Sequence, residues 1–378
     1  MAVNLCWLVP GVVGGSEQYA ARLLAALPFD DLALTVYGSA ALIEAHPALA
    51  QRHEVVVAPV GLGRRPARVA MESTWLNANL RRRPHDLVHH VGGTVPVATP
   101  GPAVVTIHDL QPLDRPDAFS ALKRRYLAYA LPHAARRATM VLTPSAWVRT
   151  GVIERLGVPE HRVRVVSAPI VATAAPPAEA VEAVLAARRI RTPYVLYPAI
   201  TYAHKNHGVL VRALAGLARN DAALVLPGGA GDFEAELDEL VASLGVADRV
   251  HRLGRVPQSE LDALLAGAAA VAVPSRYEGF GLPVAEAMAA GRPVVASNSA
   301  ALPEVVGDAG VLVDPDDVQG WTDALDGILG DPVRAESLAV AGRERARNWT
   351  AERCGSSLAA AYRDVAMGRL DAPDPAGR

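Results

Sequence analysis

The sequence has little of what marks several large protein classes. Two cysteines, Cys6 and Cys354, among 378 residues do not suggest a disulfide framework, and the apolar run around Cys6 favours a buried free thiol. No apolar run reaches the ~18 residues of a transmembrane helix. The first ten residues lack a basic segment, so we expect a strand there and not a signal peptide. These features favour a cytoplasmic protein.

The charge balance and the length narrow the class further. A formal net charge of −2 gives no overall attraction to nucleic acid. With 51% hydrophobic and 20% charged residues, the chain is expected to be globular, and its length suggests two domains. Short, valine-rich runs alternate with helical patterns, which predicts parallel sheets covered by helices on both faces. The predicted strands are Val3–Val9, Leu32–Tyr37, Leu87–Val91, Ala103–Ile107, Met140–Thr143, Tyr194–Tyr197, Ala222–Leu226, Val250–Leu253, Ala270–Val273, Pro293–Ala296 and Val311–Val313.

One stretch interrupts this alternation and indicates a domain boundary. It reads Ala172-Thr-Ala-Ala-Pro-Pro-Ala-Glu. We therefore predict a first domain at 1–172, a linker at 173–190, a second domain at 191–350, a C-terminal helix at 351–368 and a flexible tail at 369–378.

The most informative segment contains two glutamates, Glu278 and Glu286, eight positions apart. Between them Pro283 is suited to the first turn of a helix, which places Glu278 in the preceding loop and Glu286 inside the helix. The N–H groups around Gly281 and Leu282 then lie at the positive end of the helix dipole without intrahelical partners. The pattern predicts an anion site with an acid on either side.

Other motifs follow predicted strands. They are Gly14-Gly15 with Ser16 as a helix N-cap, Thr106-Ile-His108-Asp109, His204-Lys205-Asn206 and Pro227-Gly228-Gly229. The first differs from the Gly-x-Gly-x-x-Gly fingerprint of dinucleotide-binding dehydrogenases. Together with the two glutamates, which match an E-x7-E signature, the set resembles the retaining glycosyltransferases of family four in both content and order.

This resemblance implies a GT-B fold: two Rossmann-like α/β domains with doubly wound parallel sheets, facing a central cleft. It implies that the nucleoside-diphosphate sugar binds to the second domain and the acceptor to the first, and that the C-terminal helix crosses back to the first domain. It also implies a metal-independent enzyme with no cofactor beyond the donor. The donor sugar stays open among mannose, glucose, N-acetylglucosamine and rhamnose, and the acceptor is a carbohydrate or a lipid-linked precursor.

The same resemblance assigns residues to roles. It implies catalytic roles for His108, Lys205 and Glu278, with the Lys205 ammonium neutralising the leaving diphosphate. It implies acceptor-side roles for Glu17 and Asp109, although Asp109 can instead orient the His108 ring. The implied donor-binding residues are Gly14, Gly15, His204, Gly228, Gly229, Gly254, Gly279, Phe280, Gly281, Leu282, Pro283 and Glu286.

The chain departs from the family pattern at one position. The arginine that commonly precedes the lysine is absent near Ala199, and Thr201 or His204 are the candidate substitutes. The Asp-x-Asp at Asp314–Asp316 precedes a predicted helix, so turn and N-cap duty explain it better than a metal site.

Two alternative functions stay open at this point, and so does the setting of one predicted helix. A sugar-nucleotide 2-epimerase can share this fold, and a non-catalytic sugar-binding protein can share the ligand. A basic, apolar helical stretch, Tyr126–Ala135 flanked by Lys123–Arg125 and Arg136–Arg137, is typical either of a solvated helix face or of a peripheral contact with the inner membrane surface.

Overall fold

The computed structural model describes residues 1–12, 14–28, 32–59, 65–116, 119–170 and 175–370. These residues form two compact units. The first comprises Met1–Pro169 and Trp349–Arg378, and the second comprises Ile170–Asn348.

The first unit contains a seven-stranded parallel sheet of order β3-β2-β1-β4-β5-β6-β7. Its strands are β1 (Ala2–Asn4), β2 (Thr35–Gly38), β3 (Glu54–Val57), β4 (Val88–His90), β5 (Ala103–Thr106), β6 (Met140–Thr143) and β7 (Val163–Val165). Its helices are α1 (Gly15–Ala25), α2 (Ala40–Ala45), α3 (Pro47–Arg52), α4 (Arg65–Met71), α5 (Asn77–Arg82), α6 (Gln111–Asp114), α7 (Ala121–Arg137) and α8 (Ala146–Leu156), with the C-terminal helix described below.

The second unit contains a six-stranded parallel sheet of order β10-β9-β8-β11-β12-β13. Its strands are β8 (Tyr194–Leu196), β9 (Ala223–Pro227), β10 (Val250–Gly254), β11 (Ala270–Val273), β12 (Val294–Ser297) and β13 (Val311–Val313). Its helices are α9 (Ala178–Arg188), α10 (His207–Gly216), α11 (Glu234–Ser243), α12 (Gln258–Gly267), α13 (Leu282–Ala289), α14 (Leu302–Val306), α15 (Val318–Leu329) and α16 (Pro332–Ala346).

The central strands of both sheets are buried along their whole length, as their valine-rich sequences predict. Every residue of β5, β6, β11 and β12 is buried. In the first unit the residues of β5 and β6 pack with those of α7 and α8 into one apolar core. Doubly wound parallel sheets in each unit confirm the predicted α/β architecture.

The predicted linker at 173–190 is wrong over most of its length. Residues 171–174 lie outside the described part of the chain, but Ala178–Arg188 forms α9, which belongs to the second unit. The helix packs against α12, and Arg188 pairs with both carboxylate oxygens of Glu260 at 2.6 and 3.0 Å. Pro176 and Pro177 lie just before the helix, where proline is tolerated. The alanine-rich stretch after them contains no proline, and alanine favours a helix.

The C-terminal helix, α17 (Ala351–Ala366), belongs to the first unit although it follows the second in sequence. Its Asp364 pairs with the buried Arg164 of β7 at 2.6 Å, and the Tyr362 hydroxyl lies 2.7 Å from His89 Nδ1. The N–H of Arg353 bonds to the Thr350 hydroxyl, which caps the helix start. The predicted tail at 369–378 lies outside the described residues beyond position 370.

Two further features concern the cysteines and the membrane. Cys6 and Cys354 are buried free thiols, which confirms the prediction for Cys6. Among the described residues, no helix combines the length and the apolar character required to cross a bilayer.

Candidate active site

Each sheet has one point where the strand order reverses, and ligands of open α/β sheets bind outside the carboxyl ends of the strands there. In the second unit this point lies between β8 and β11, which pair in parallel at the sheet centre. The chain winds outward from β8 through β9 to β10, and from β11 through β12 to β13. The loops after β8 and β11 carry Lys205 and Glu278, so the topology brings these two predicted residues to one place.

Lys205 and Glu278 form an ion pair in this crevice. The Lys205 Nζ lies 2.6 Å from Glu278 Oε1, and their side chains are 20% and 13% exposed. The Ser275 hydroxyl donates to the same carboxylate oxygen at 2.7 Å. The Tyr197 hydroxyl lies 2.8 Å from Ser275 Oγ and donates to the Lys205 carbonyl at 3.0 Å. Ser275 and Tyr197 are fully buried, so they support the ion pair from the interior of the second unit.

The sequence analysis missed Ser275 and Tyr197. Tyr197 ends a predicted strand, and Ser275 lies two residues after another predicted strand and three residues before Glu278, which is the signal that would have found them. Their role depends on contacts between segments about 80 residues apart in the chain, and no local pattern encodes such contacts.

The two loops also bond to each other through the main chain. The Arg276 N–H donates to the His204 carbonyl at 2.8 Å. Asn206, in the left-handed conformation at φ 58°, donates from its amide to the carbonyls of Pro274 and Pro315 at 3.3 and 2.6 Å. A buried side-chain amide with both bonds satisfied fixes the loops relative to one another. The Lys205 and Glu278 side chains therefore start from rigid backbone positions.

The helix after Glu278 begins where the sequence predicted. Helix α13 starts at Leu282 with Pro283 in its first turn and Glu286, half-buried, inside it. Gly281 precedes the helix at φ 110°, and a Cβ at this position would lie 2.6 Å from Leu302 Cδ2. Only glycine combines this backbone angle with this close packing. Pro283 has no N–H and the Val284 N–H donates to the Gly281 carbonyl at 3.0 Å, so the Leu282 N–H and the positive end of the helix dipole are what make this end favourable for an anion. Gly279 and Phe280 complete the connecting loop, and the Phe280 ring is buried.

The glycines after β9 and β10 form the next part of this edge. The Gly228 N–H donates to the Gly254 carbonyl at 2.8 Å. A Cβ on Gly228 would lie 1.8 Å from the Ala199 carbonyl oxygen, so Gly228 permits close approach of the β8 and β9 loops. A Cβ on Gly229 would lie 3.0 Å from Nε of Arg255, a guanidinium that the sequence analysis did not single out.

In the first unit the strand order reverses between β1 and β4. His108 follows β5, the neighbour of β4, and its Nε2 lies 2.8 Å from the Val91 carbonyl oxygen. The ring meets Tyr19 edge-on at 4.9 Å between centroids and lies 6.0 Å from the Trp7 ring. Burial lowers the pKa of His108 to about 4, so the ring is neutral near pH 7.

This geometry determines which ring nitrogen of His108 carries the hydrogen. A carbonyl oxygen only accepts hydrogen bonds, so Nε2 carries the hydrogen of the neutral ring and Nδ1 is left as an acceptor. A ring that donates to a phosphate or a sugar hydroxyl would need an N–H that is free for the ligand. With Nε2 engaged at Val91, Nδ1 of the neutral ring can accept from a hydroxyl but cannot donate to a phosphate.

The predicted acceptor-side carboxylates both bond within the protein. Asp109 Oδ1 accepts from the Gln111 N–H at 3.0 Å, at the start of α6. Glu17 lies in the first turn of α1, which begins at Gly15 after Gly14. Its carboxylate accepts from the Gly11 N–H at 2.7 Å and contacts His46 Nε2 at 2.8 Å. An acceptor role for either residue stays a prediction.

Two family models match this chain, one over each half. Residues 13–174 match the model described as Glycosyltransferase Family 4, and residues 187–348 match the model described as Glycosyl transferases group 1. O-antigen chain mannosyltransferase B of Escherichia coli is 32% identical over 266 residues, which cover 69% of this chain and 70% of that protein. The chain belongs to glycosyltransferase family four.

Two further comparisons place this glycosyltransferase among its relatives. D-inositol 3-phosphate glycosyltransferase of Corynebacterium diphtheriae is 39% identical over 172 residues, which are 43% of this chain and 40% of that protein. The crystal structure of Anabaena HepE in complex with UDP and glucose superposes with a TM-score of 0.76 at 22% identity, covering 96% of this chain and 99% of that one. The fold is GT-B, as the sequence motifs implied.

The glycosyltransferase lacks the arginine that its family commonly has before the lysine, and the two candidate substitutes differ. Thr201 is buried, and its hydroxyl lies 3.5 Å from the Gly229 carbonyl oxygen. His204 is half-buried, and its ring stacks on Tyr202 at 5.6 Å with an interplanar angle of 15°. The exposure of its ring makes His204 the better placed of the two to meet a ligand.

The Asp-x-Asp segment of the glycosyltransferase forms a turn that leads into a capped helix, as its sequence predicted. The Asp316 N–H donates to Asp314 Oδ1 at 2.9 Å, and Asp317 caps α15 by accepting from the Gly320 N–H at 2.9 Å. Within the described ranges, no group of three or more histidine, cysteine, aspartate or glutamate side chains is arranged to hold a metal ion.

Proposed function

We propose that this glycosyltransferase moves a sugar from a nucleoside-diphosphate sugar to an acceptor hydroxyl, with retention at the anomeric carbon. The observation that carries the proposal is the Lys205–Glu278 ion pair, which lies at the strand-order reversal of the second sheet and is followed directly by the N-terminus of α13. The named relatives transfer mannose or act on inositol 3-phosphate, which supports a hexose donor and a carbohydrate or glycolipid precursor as acceptor.

The leaving group determines which protein groups are needed. A departing nucleoside diphosphate gains negative charge as the glycosidic bond breaks, and fixed positive charge lowers the energy of that state. Lys205 supplies an ammonium group, and the start of α13 supplies the N–H groups of Gly281 and Leu282 at the positive end of the helix dipole. These two sources of positive charge support catalysis without a divalent cation. Activity that persists in excess EDTA would support this part, and loss restored by a divalent cation would contradict it.

The state of Glu278 supports attack from the same face as departure. Its Oε1 already accepts from Lys205 and Ser275, which stabilises the carboxylate and weakens it as a nucleophile. We therefore assign Glu278 to the sugar hydroxyls and Glu286 to the ribose. His108 Nδ1 accepts from a hydroxyl, and the Gly14–Gly15 loop contributes main-chain contacts. Nuclear magnetic resonance of the first product will show an α-anomer from an α-linked donor if the configuration is retained.

The test removes each half of the ion pair and compares it with a surface pair. Lys205→Ala and Glu278→Ala should each lower kcat/KM at least ~100-fold, as loss of a preorganised charge does. The exposed pair Arg347–Glu344, 2.7 Å apart, provides matched controls, and Arg347→Ala and Glu344→Ala should keep full activity. Full activity of either crevice variant would refute its assignment, provided that thermal melting shows all four variants folded.

The rival functions differ in what happens to the donor. A 2-epimerase converts a nucleotide sugar without an acceptor, and a binding protein leaves it unchanged. The family relatives named above are transferases, which supports transfer. A thermal-shift screen of nucleoside diphosphates and their sugars identifies the donor, because a ligand that binds the folded state raises Tm. Incubation of that donor with and without acceptor then separates the three functions.

We also propose that α7 rests on an anionic membrane surface. Its exposed face carries the apolar side chains Leu122 and Tyr129, 81% and 62% exposed, beside the cationic Arg124 and Arg125. Apolar contacts combined with positive charge suit the headgroup region of anionic lipid. The chain should sediment with phosphatidylglycerol vesicles and not with phosphatidylcholine vesicles, and Leu122→Ser with Tyr129→Ser should abolish this. Equal sedimentation with both lipids would contradict it.

A further inference from the structure

We propose that Glu17 and His46 are positioning residues for the glycine loop after β1, and that Glu17 does not act on the acceptor. The inference rests on the proposed function, because it assigns a role in transfer to that loop. Glu17 is buried, with only 7% of the residue exposed, and glutamate is rarely buried without partners.

Three separate segments meet at this carboxylate. Oε2 accepts from the Gly11 N–H at 2.7 Å, within the loop itself. Oε1 lies 2.8 Å from His46 Nε2, at the corner between α2 and α3. Since a carboxylate only accepts, the His46 ring donates. The Glu17 N–H also donates to the Gly14 carbonyl at 3.0 Å, so residue 17 bonds to the loop through main chain and side chain.

The backbone around each partner keeps this clamp rigid. His46 joins two short helices, and Pro47 begins the second, which restricts the φ angle that follows the ring. Glu17 sits in the first turn of the eleven-residue helix α1. The Glu17 side chain therefore holds the loop at Gly11, and the Glu17 main chain holds it at Gly14. With both oxygens engaged inside the protein, Glu17 sets the loop geometry and does not need to touch a substrate.

The experiment compares variants that keep or remove each hydrogen bond. His46→Gln keeps a donor near the Nε2 position, and His46→Phe keeps only the ring shape. Glu17→Ala removes the acceptor for both partners. Glu44→Ala, an exposed carboxylate on α2, is the matched control. Two quantities are measured on the full chain: the steady-state kcat and KM for the donor identified by thermal shift, and amide hydrogen exchange of a peptide that contains Gly11.

The expected pattern is specific to positioning. Glu17→Ala and His46→Phe should lower kcat at least ~10-fold, as small displacements near a reacting group do, and should speed exchange at Gly11. His46→Gln and Glu44→Ala should stay within twofold of the parent in both. The Tm increase with nucleoside diphosphate should be unchanged in all variants, because Lys205 and α13 hold the diphosphate.

Other outcomes overturn the inference in separable ways. Faster exchange at Gly11 with unchanged kcat would refute the role in transfer. Unchanged exchange in Glu17→Ala would refute the clamp itself. If no nucleotide sugar is consumed by the parent, the proposed function fails, and the exchange data still decide whether the clamp exists.

Discussion

At the scale of single residues, the candidate site depends on two buried polar partners that bond to each other across 78 residues of sequence. Lys205 and Glu278 were predicted from motifs, but Ser275 and Tyr197 set where their charges lie. A hydroxyl that donates to one carboxylate oxygen restricts the rotation of that carboxylate. The Lys205–Glu278 ion pair is therefore held in place by two further side chains that the sequence motifs do not contain.

We expect loss of the Ser275 hydroxyl to affect turnover more than donor binding. Ser275→Ala removes a charge-assisted hydrogen bond to Glu278, which contributes roughly 1.5–3 kcal/mol, so kcat should fall roughly 10- to 100-fold. Tyr197→Phe removes a neutral partner and should cost roughly 3- to 10-fold. The exposed Ser243→Ala is the control. Steady-state kinetics check the prediction, and a change confined to KM in Ser275→Ala would contradict it.

At the scale of elements, helix ends and glycines between strands decide where the loops lie. The edge strands β3 and β7 were missed in the sequence, whereas all eleven predicted strands have a counterpart in the structure. All four residues of β2 are buried, whereas β3 begins with Glu54 and has exposed residues at both ends and half-buried residues between them. β7 is a three-residue strand that contains Arg164. Arg164 interrupts the apolar run of β7, whereas β3 was missed although three valines follow Glu54.

The contact between the β8 and β9 loops leads to a prediction at this scale. Gly228→Ala places a Cβ 1.8 Å from the Ala199 carbonyl oxygen, and backbone must move to relieve the overlap. We expect the free energy of unfolding to fall by about 1–3 kcal/mol and the nucleotide-induced Tm increase to shrink. Gly245→Ala is the comparison, because a Cβ there meets no atom within 4 Å and only the strain of φ 65° remains. Chemical denaturation and thermal shift measure both, and equal effects in the two variants would refute the steric argument.

At the scale of the whole molecule, buried ionisable groups couple folding to pH. In the first unit burial lowers the pKa of His89 and His90 to about 3 and that of His108 to about 4. Each stays neutral when folded but takes up a proton near pH 6.5 when unfolded. Their stabilisation is present above pH 6.5 and is lost as the pH falls toward 3. Burial raises the pKa of Glu72 to about 7, so its contribution has the opposite sign and grows as the pH falls from about 7 to 4.5.

Three imidazoles outweigh one carboxyl group, so we expect the first unit to lose stability in acid. Between pH 6.5 and 5 each histidine costs up to about 2 kcal/mol. Scanning calorimetry from pH 7.5 to 5 should show a falling Tm. Glu72→Gln removes the opposing contribution and should steepen the decline. A Tm that is constant or rises toward pH 5 in the parent would show that these rings are not held neutral.

The sequence by itself determined the class of fold and the family, and its motifs predicted Lys205 and Glu278 as site residues. Valine-rich runs favour strands, and Pro283 with Gly281 favours a helix start at this point, because these preferences are local. The tertiary structure alone decided that residues 178–188 form a helix, that His108 offers an acceptor nitrogen, and that Glu17 bonds to Gly11 and His46. In each case a partner 17 to 72 residues away contributes: Glu260 pairs with Arg188 of the helix, Val91 bonds to His108, and His46 bonds to Glu17. Only the folded backbone brings such partners within bonding distance.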